Sequence, residues 1–232
     1  MSEFWLSEKS SRVFEIVNAK QKTIYPYVAE LIKQTSPKAM LDYGCGYSFI
    51  SHLINKDIEI GLYDINIERA KIAAQHLVDR NCKVFNTAEE IHNNYYDFII
   101  FSFVLTCLNS RDEFLSILQN FKNSKKKDAK LIIVTTHPCF REHKYRHFHS
   151  EYAISRQFEY FKNHEPFELF LHNEANGNDI QFTDYHWTLS ETINTLMDSG
   201  FRLEKLLEVH DDIYEDKPCN LKYPPYMVLI CK

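Results

Sequence analysis

AMLDYGCGYS, Ala39 to Ser48, followed shortly by IEIGLYDIN, Ile58 to Asn66, decides how this chain folds. The first stretch runs apolar to Asp42 and then turns through Gly44 and Gly46; the second runs apolar to Asp64. A strand that enters a glycine turn and a helix, then a second strand ending on a carboxylate, is the pattern of an α/β crevice suited to a nucleoside. Glycines let the backbone approach a ligand closely, and the later carboxylate can accept hydrogen bonds from ribose hydroxyls.

The details separate two kinds of nucleoside site. A dinucleotide fingerprint sets three glycines in G-x-G-x-x-G so that a pyrophosphate sits on a helix N-terminus. Here Gly44 and Gly46 are followed by Tyr47, Ser48 and Phe49, so the third glycine is missing. The acid before the glycines would repel a pyrophosphate but suits an ammonium group. On these residues the chain resembles the class I S-adenosylmethionine-dependent methyltransferases, whose first motif reads acidic-x-Gly-x-Gly-x-Gly. Ser48 stands in the place of the last glycine, where its small side chain suits an N-terminal cap.

The resemblance implies a set of cofactor contacts for S-adenosyl-L-methionine and its product S-adenosyl-L-homocysteine. Asp42 would favour the ammonium, directly or through water, while Gly44 and Gly46 expose backbone to the methionine part. Asp64 would take the ribose, with Ile65 against the adenine. Thr87 occupies the place of the family's adenine-binding acid, beside the Ala88 N–H; Thr87 with Glu90 also reads as a helix capping box. Ser102 and Phe103, at the end of the fourth strand, would present backbone to the ammonium. Tyr43, Cys45 and Phe103 are expected as walls.

Strand and helix patterns alternate outward from this core. Strands are expected at Ala39–Tyr43, Glu59–Asp64, Cys82–Asn86, Tyr96–Phe103 and Lys130–Thr135, and helices at Phe49–Asn55, Ile67–Arg80 and Arg111–Ser124. Such alternation implies a parallel sheet with right-handed crossovers. Upstream, apolar residues from Val13 to Gln34, Ile16 and Val17 among them, predict one or two helices broken near Pro26. After His137 the rhythm gives way to an aromatic, histidine-rich stretch and a hairpin of FELFL (Phe167 to Leu171) and Asp179 to Tyr185 around NEANGN. A helix at Leu189–Gly200 and strands at Arg202–Glu208 and Tyr226–Cys231 complete the chain. The expected fold is α/β: a Rossmann-like, seven-stranded, mostly parallel sheet with an antiparallel last strand. Residues 1–37 form an N-terminal helical cap or lid, and residues 38–232 the methyltransferase domain, with an acceptor-side insertion at 138–186 after the fifth strand.

On the acceptor side the resemblance points to TTHPCF (Thr135 to Phe140) and YHWTLS (Tyr185 to Ser190). His137 is the first candidate for a base or orienting group and His186 the second; the competing reading of each is a hydrogen-bonded ring that anchors the insertion. A general base is needed only where the acceptor holds a proton of high pKa. Phe140, Tyr145, Phe148, Tyr152, Phe158, Tyr160 and Phe161 are expected to pack a cap helix, some of them lining an apolar pocket, with Phe4 and Trp5 closing over it. His143, His147 and His149 invite a metal reading through i,i+4 spacing on a helix, but Arg141, Lys144 and Arg146 oppose a cation, so no metal is expected.

Composition narrows the classes. The 232 residues, 44% hydrophobic, suit one sizeable α/β domain. A net charge of −5 argues against nucleic acid as partner, and the run Lys125-Lys126-Lys127 reads as a solvated loop before a strand. Six cysteines (Cys45, Cys82, Cys107, Cys139, Cys219 and Cys231) show no C-x-x-C spacing and read as reduced thiols. No targeting segment or membrane-length apolar run is evident, so a cytoplasmic enzyme without membrane partner is expected. The expected activity is methyl transfer from S-adenosylmethionine to an O, N or C atom of a small organic acceptor. Alternatives are an inactive cofactor-binding partner subunit of the same fold, or a nicotinamide-dependent oxidoreductase. Acceptor identity and oligomeric state are not legible in the sequence.

Overall fold

Strand β1 (Ala39–Tyr43) is buried at all of its positions and lies between parallel neighbours β2 (Glu59–Tyr63) and β4 (Tyr96–Ser102). This is the signature of a strand covered on both faces. The computed structural model describes residues 3–15, 22–173, 177–210 and 222–232. Its central sheet has seven strands in the order β3-β2-β1-β4-β5-β10-β9, with β3 at Cys82–Val84, β5 at Lys125–Thr136, β9 at Leu203–Val209 and β10 at Tyr226–Cys231. β10 is antiparallel to both β5 and β9, and so is wedged between them as the resemblance implies.

Alternation along the strands sorts their side chains into two apolar layers. Met40, Leu62, Ile100 and Val134 face one side, together with α2 (Ile24–Thr35) and α3 (Ile67–His76). Leu41, Phe101, Ile133 and Leu229 face the other, against α4 (Arg111–Ser124) and α6 (Leu189–Asp198). Helix starts obey local chemistry. Ser110 accepts from Glu113 N–H while the Glu113 carboxylate takes the N–H of Asn109, one residue before the cap, and Thr188 accepts from Glu191 N–H. α6 stops at Gly200, whose φ of +80° lets its own N–H reach Met197 O and Phe201 N–H reach Leu196 O.

Several elements differ from expectation. The helix expected at Phe49–Asn55 is a single 3-10 turn, Phe49–Leu53, because a short run rich in Ser, aromatic and β-branched residues has little helical propensity. Pro26 does not break α2: it sits in the first turn, where its missing N–H would have had no intrahelical partner. A separate short helix α1 (Ser11–Glu15) precedes it; Ile16 and Val17 lie outside the described residues. β5 begins at Lys125, so the lysine run belongs to a strand, with an irregularity after the Tyr96–Lys125 pair and Lys126 2.8 Å from Asp97.

The insertion forms a second sheet, β6 (Phe148–Ser150), β7 (Pro166–Leu171) and β8 (Ile180–Tyr185), antiparallel throughout. It packs on the same side as α2, and its helix α5 (Tyr152–Ser155) is only one turn. The expected hairpin is there, with residues 174–176 of its turn outside the described set. His143 and His147, the i,i+4 pair, lie outside any helix and His149 lies in a strand, which removes the shared helix face on which the metal reading rested. Among the described residues no group of three or more His, Cys, Asp and Glu could hold a metal ion, and no helix is long and apolar enough to cross a membrane. Cys45, Cys82, Cys107, Cys139 and Cys231 are free thiols; Cys219 lies outside the described residues.

Candidate functional site

The C-terminal ends of β1, β2, β4 and β5 converge on one cavity of about 340 Å3, covered by the N-terminal segment and by one face of the second sheet. Open α/β sheets bind ligands at this edge. Asp42, Gly44, Asp64, Ile65, Ser102 and Phe103 all line it, together with the expected walls Tyr43 and Cys45. Gly46 lies in the same loop, at φ +51°, with Phe14 so close that an added β-carbon would come 2.2 Å from its ring.

The amides of the glycine loop are turned inward. Gly44 and Cys45 N–H both donate to Tyr63 O, at 2.7 and 2.9 Å, and Gly46 N–H donates to Asp64 Oδ2 at 2.9 Å. Ser48 N–H is closed onto Cys45 O. The loop then enters a 3-10 turn rather than an α-helix, so these four N–H groups are not offered to a phosphate. Of the two glycines only Gly44 lines the cavity, and an added β-carbon there would come 2.4 Å from Val104, so the backbone runs close to its neighbours at both positions.

Asp42 is fully enclosed, and burial, reinforced by the nearby Asp64 charge, pushes its carboxyl up to about 7. One hydrogen bond opposes this: Ser48 Oγ donates to Asp42 Oδ2 at 2.6 Å. Ser48 makes no helix cap, contrary to expectation. Its backbone is left-handed (φ +52°), the conformation for which the motif's third glycine is suited, and the hydroxyl is what a serine adds there.

Asp64 accepts N–H from Gly46 and, at 2.9 Å, from Asn66, and its Oδ1 lies 3.5 Å from Arg69 Nη1. Burial raises its pKa, while these donors and Arg69 pull it down. Arg69, on α3, had no place in the sequence reading. Its Nη2 donates to Trp5 O at 2.5 Å and to Ser10 Oγ, and its guanidinium lies over the Phe14 ring at 5.3 Å. One buried cation thus joins Asp64 to the N-terminal segment. Trp5 Nε1, Ser102 Oγ and Arg69 Nε, on three residues of the cavity wall, are buried without a protein partner. Buried polar groups are normally satisfied, so these three atoms are exceptions in the wall of the site.

Other expected site residues lie elsewhere. Thr87 is exposed, Ala88 half-buried, and neither lines the cavity; the Thr87 hydroxyl makes no cap, because Glu90 instead takes the Asn86 backbone and side-chain N–H groups. His137 is buried beside a much smaller void, its Nε2 2.9 Å from Glu208 and its ring stacked on Phe140. Burial lowers its pKa against the pull of Glu208. His186 is 1% exposed, bonds Tyr160 O through Nε2 at 2.7 Å, and is brought down to about 4 by burial and the charge of Arg141. Neither ring belongs to the lining of the large cavity. Nor do the insertion's seven aromatics from Phe140 to Phe161, of which Phe161 is 88% exposed. Leu169, Leu171 and Phe182 of the second sheet form that wall instead, with Trp5 edge-on to Phe182 and Phe4 stacked on it.

No family model matches the chain, and no curated protein matches it in sequence. Solved structures do match in shape. An S-adenosylmethionine-dependent methyltransferase from Clostridium acetobutylicum aligns over 96% of this chain and 95% of its own, with a TM-score of 0.62 at 11% identity. One from Leishmania major aligns over 99% and 80%, with a TM-score of 0.62 at 14% identity. One from Methanosarcina mazei aligns over 83% and 91%, with a TM-score of 0.55 at 20% identity. The chain has the class I S-adenosylmethionine-dependent methyltransferase fold.

Proposed function

We propose that this protein moves a methyl group from S-adenosylmethionine to a small organic acceptor. The observation that carries the reading is Asp42: a carboxylate sealed in the wall of a large cavity, beside a loop in which the Gly44, Cys45, Gly46 and Ser48 N–H groups are already engaged. A buried anion with a single neutral donor is costly unless a cation joins it. The donor set fits the cofactor. Asp42 suits an ammonium, Asp64 suits ribose hydroxyls, Ile65 gives an apolar surface for a base, and Ser102 Oγ and Trp5 Nε1 await polar partners. A pyrophosphate would meet two carboxylates, and the N–H groups of Gly44, Cys45, Gly46 and Ser48 are already engaged within the protein, which speaks against a nicotinamide dinucleotide.

When bound, S-adenosylmethionine supplies a methyl group already activated by positive sulfur. The chain's own contribution is then to hold, orient and exclude water. Trp5, Val13 and Phe14 act as the cover, and Leu169, Leu171, Phe182 and Asp184 of the second sheet as the acceptor-side wall. His137 and His186 serve this arrangement as anchors: one ties the loop after β5 to β9 through Glu208, the other ties β8 to Tyr160. Calorimetry tests the assignment. S-adenosylhomocysteine should bind with a micromolar or tighter Kd, and NAD should not; the reverse would discard the reading. Within it, binding of S-adenosylhomocysteine by Asp42→Asn should fall at least about tenfold, the scale of one charge-assisted hydrogen bond.

A further inference from the structure

Of the five buried side chains on β7 and β8, four are apolar: Phe167, Leu169, Leu171 and Phe182. The fifth is Asp184, at 3% exposure and directly across from Phe167 in the ladder. Strand alternation puts it on the same face as Phe182, two residues earlier, and both line the large cavity. A carboxylate on an otherwise apolar face is expensive to bury. Its compensation comes from outside the cavity lining: the fully buried Arg141 draws its main favourable charge interaction from Asp184. Arg141 Nη1 also donates to Thr136 Oγ1 at 2.6 Å, and its guanidinium lies 4.7 Å from the Phe167 ring centroid. Thr136, which lines the cavity too, accepts that bond and keeps its own hydroxyl hydrogen to give.

Resting on the methyltransferase reading, we propose that the acceptor is a weakly basic amine on a small flat apolar body, lying against Leu169, Leu171 and Phe182 with its N–H held by Asp184. Three observations select this class. Asp184 is the carboxylate on the second-sheet wall of the cavity, so an acceptor that sets its own carboxylate or phosphate against that wall is repelled. A carboxylate has about four lone-pair positions and so accepts from more than one donor at once, a ligand N–H among them. An ionised carboxylate has no proton to give and holds a neutral amine by accepting its N–H, while the weak basicity of the amine keeps the nitrogen unprotonated. The nitrogen lone pair stays available. It forms the new N–C bond as the C–S bond breaks and its electron pair returns to sulfur; the surplus proton on nitrogen leaves to solvent. A phenol would first have to become an anion beside Asp184, and is disfavoured for that reason.

The test uses the full chain saturated with S-adenosylhomocysteine and a matched set of ligands: an aminoquinoline, the hydroxyquinoline and the quinoline carboxylate with the same substitution. Calorimetry should show the amine binding at least about tenfold more tightly than the carboxylate. Asp184→Asn should bring the two within about threefold while leaving S-adenosylhomocysteine affinity unchanged, which also shows that the variant is folded. Equal binding of amine and carboxylate by the unaltered protein, or no binding of either at about 10 mM, overturns the proposal. So does methylation of the hydroxyquinoline without the aminoquinoline when S-adenosylmethionine replaces the product. Loss of S-adenosylhomocysteine binding itself would instead bring down the methyltransferase reading.

Discussion

Replacing Asp42 with asparagine should make the ligand-free protein more stable at alkaline pH while weakening its cofactor site. The carboxyl is displaced from 3.8 to about 7, chiefly by burial. Its folded pKa lies above its unfolded one, so the folded state binds the proton more tightly. The stability that this group contributes is full below about pH 4 and is lost as pH rises through about 7. The displacement corresponds to about 4 kcal/mol at pH 8. Asparagine has nearly the same shape, can still accept the Ser48 hydroxyl, and carries no charge to desolvate. The expected gain at pH 8 is about 2–4 kcal/mol, or about 5–10 °C in Tm for a chain of this size. Near pH 4 the variant and the parent should agree to within about 1 kcal/mol. Thermal or urea unfolding at the two pH values measures this. The difference between proteins is the diagnostic quantity, because His186 tilts the parent curve the other way in acid. An asparagine variant no more stable at pH 8, or one whose advantage does not depend on pH, would refute the claim that Asp42 is held ionised at a cost for a cation to relieve.

Three other substitutions probe the surroundings of the same site. Ser48→Gly should relieve left-handed strain of about 1 kcal/mol, yet weaken S-adenosylhomocysteine binding near pH 7, since the Asp42 pKa climbs once its donor is gone; unchanged affinity there would deny the hydroxyl its role. Arg69→Leu keeps apolar volume but cuts the tie between Asp64 and the first residues; a red-shifted Trp5 fluorescence and faster proteolysis before residue 15 should result, and an unaltered digestion pattern would contradict the tie. His186, depressed from 6.5 to about 4, contributes stability that is present above pH 6.5 and lost as pH falls toward 4, about 3 kcal/mol in all. His186→Gln should flatten that acid limb in urea unfolding and leave S-adenosylhomocysteine affinity as it was; a lost affinity would place the ring closer to the ligand than its bond to Tyr160 suggests.

Much of the architecture was written locally. The bounds of β1, α4 and β10 coincide with their sequence patterns, since unbroken apolar runs, a Ser-x-x-Glu start and helical periodicity act over a few residues. The pairing of Asp42 with Asp64 around a glycine turn was equally legible, because two parallel neighbours in one sheet bring their ends together whatever surrounds them. Tertiary structure decided the rest. Nothing near Arg69 announces that it faces inward to meet Trp5 and Ser10, 64 and 59 positions away. His137 and His186 share the right sheet edge with the cavity, but packing turned each ring toward Glu208 or Tyr160. Asp184 reads as one polar residue in an alternating strand until the second sheet folds over the first and makes that face a wall. Periodicity fixes which side of an element a residue occupies; what lies opposite that side depends on contacts between distant segments, and those the chain acquires only when its layers close.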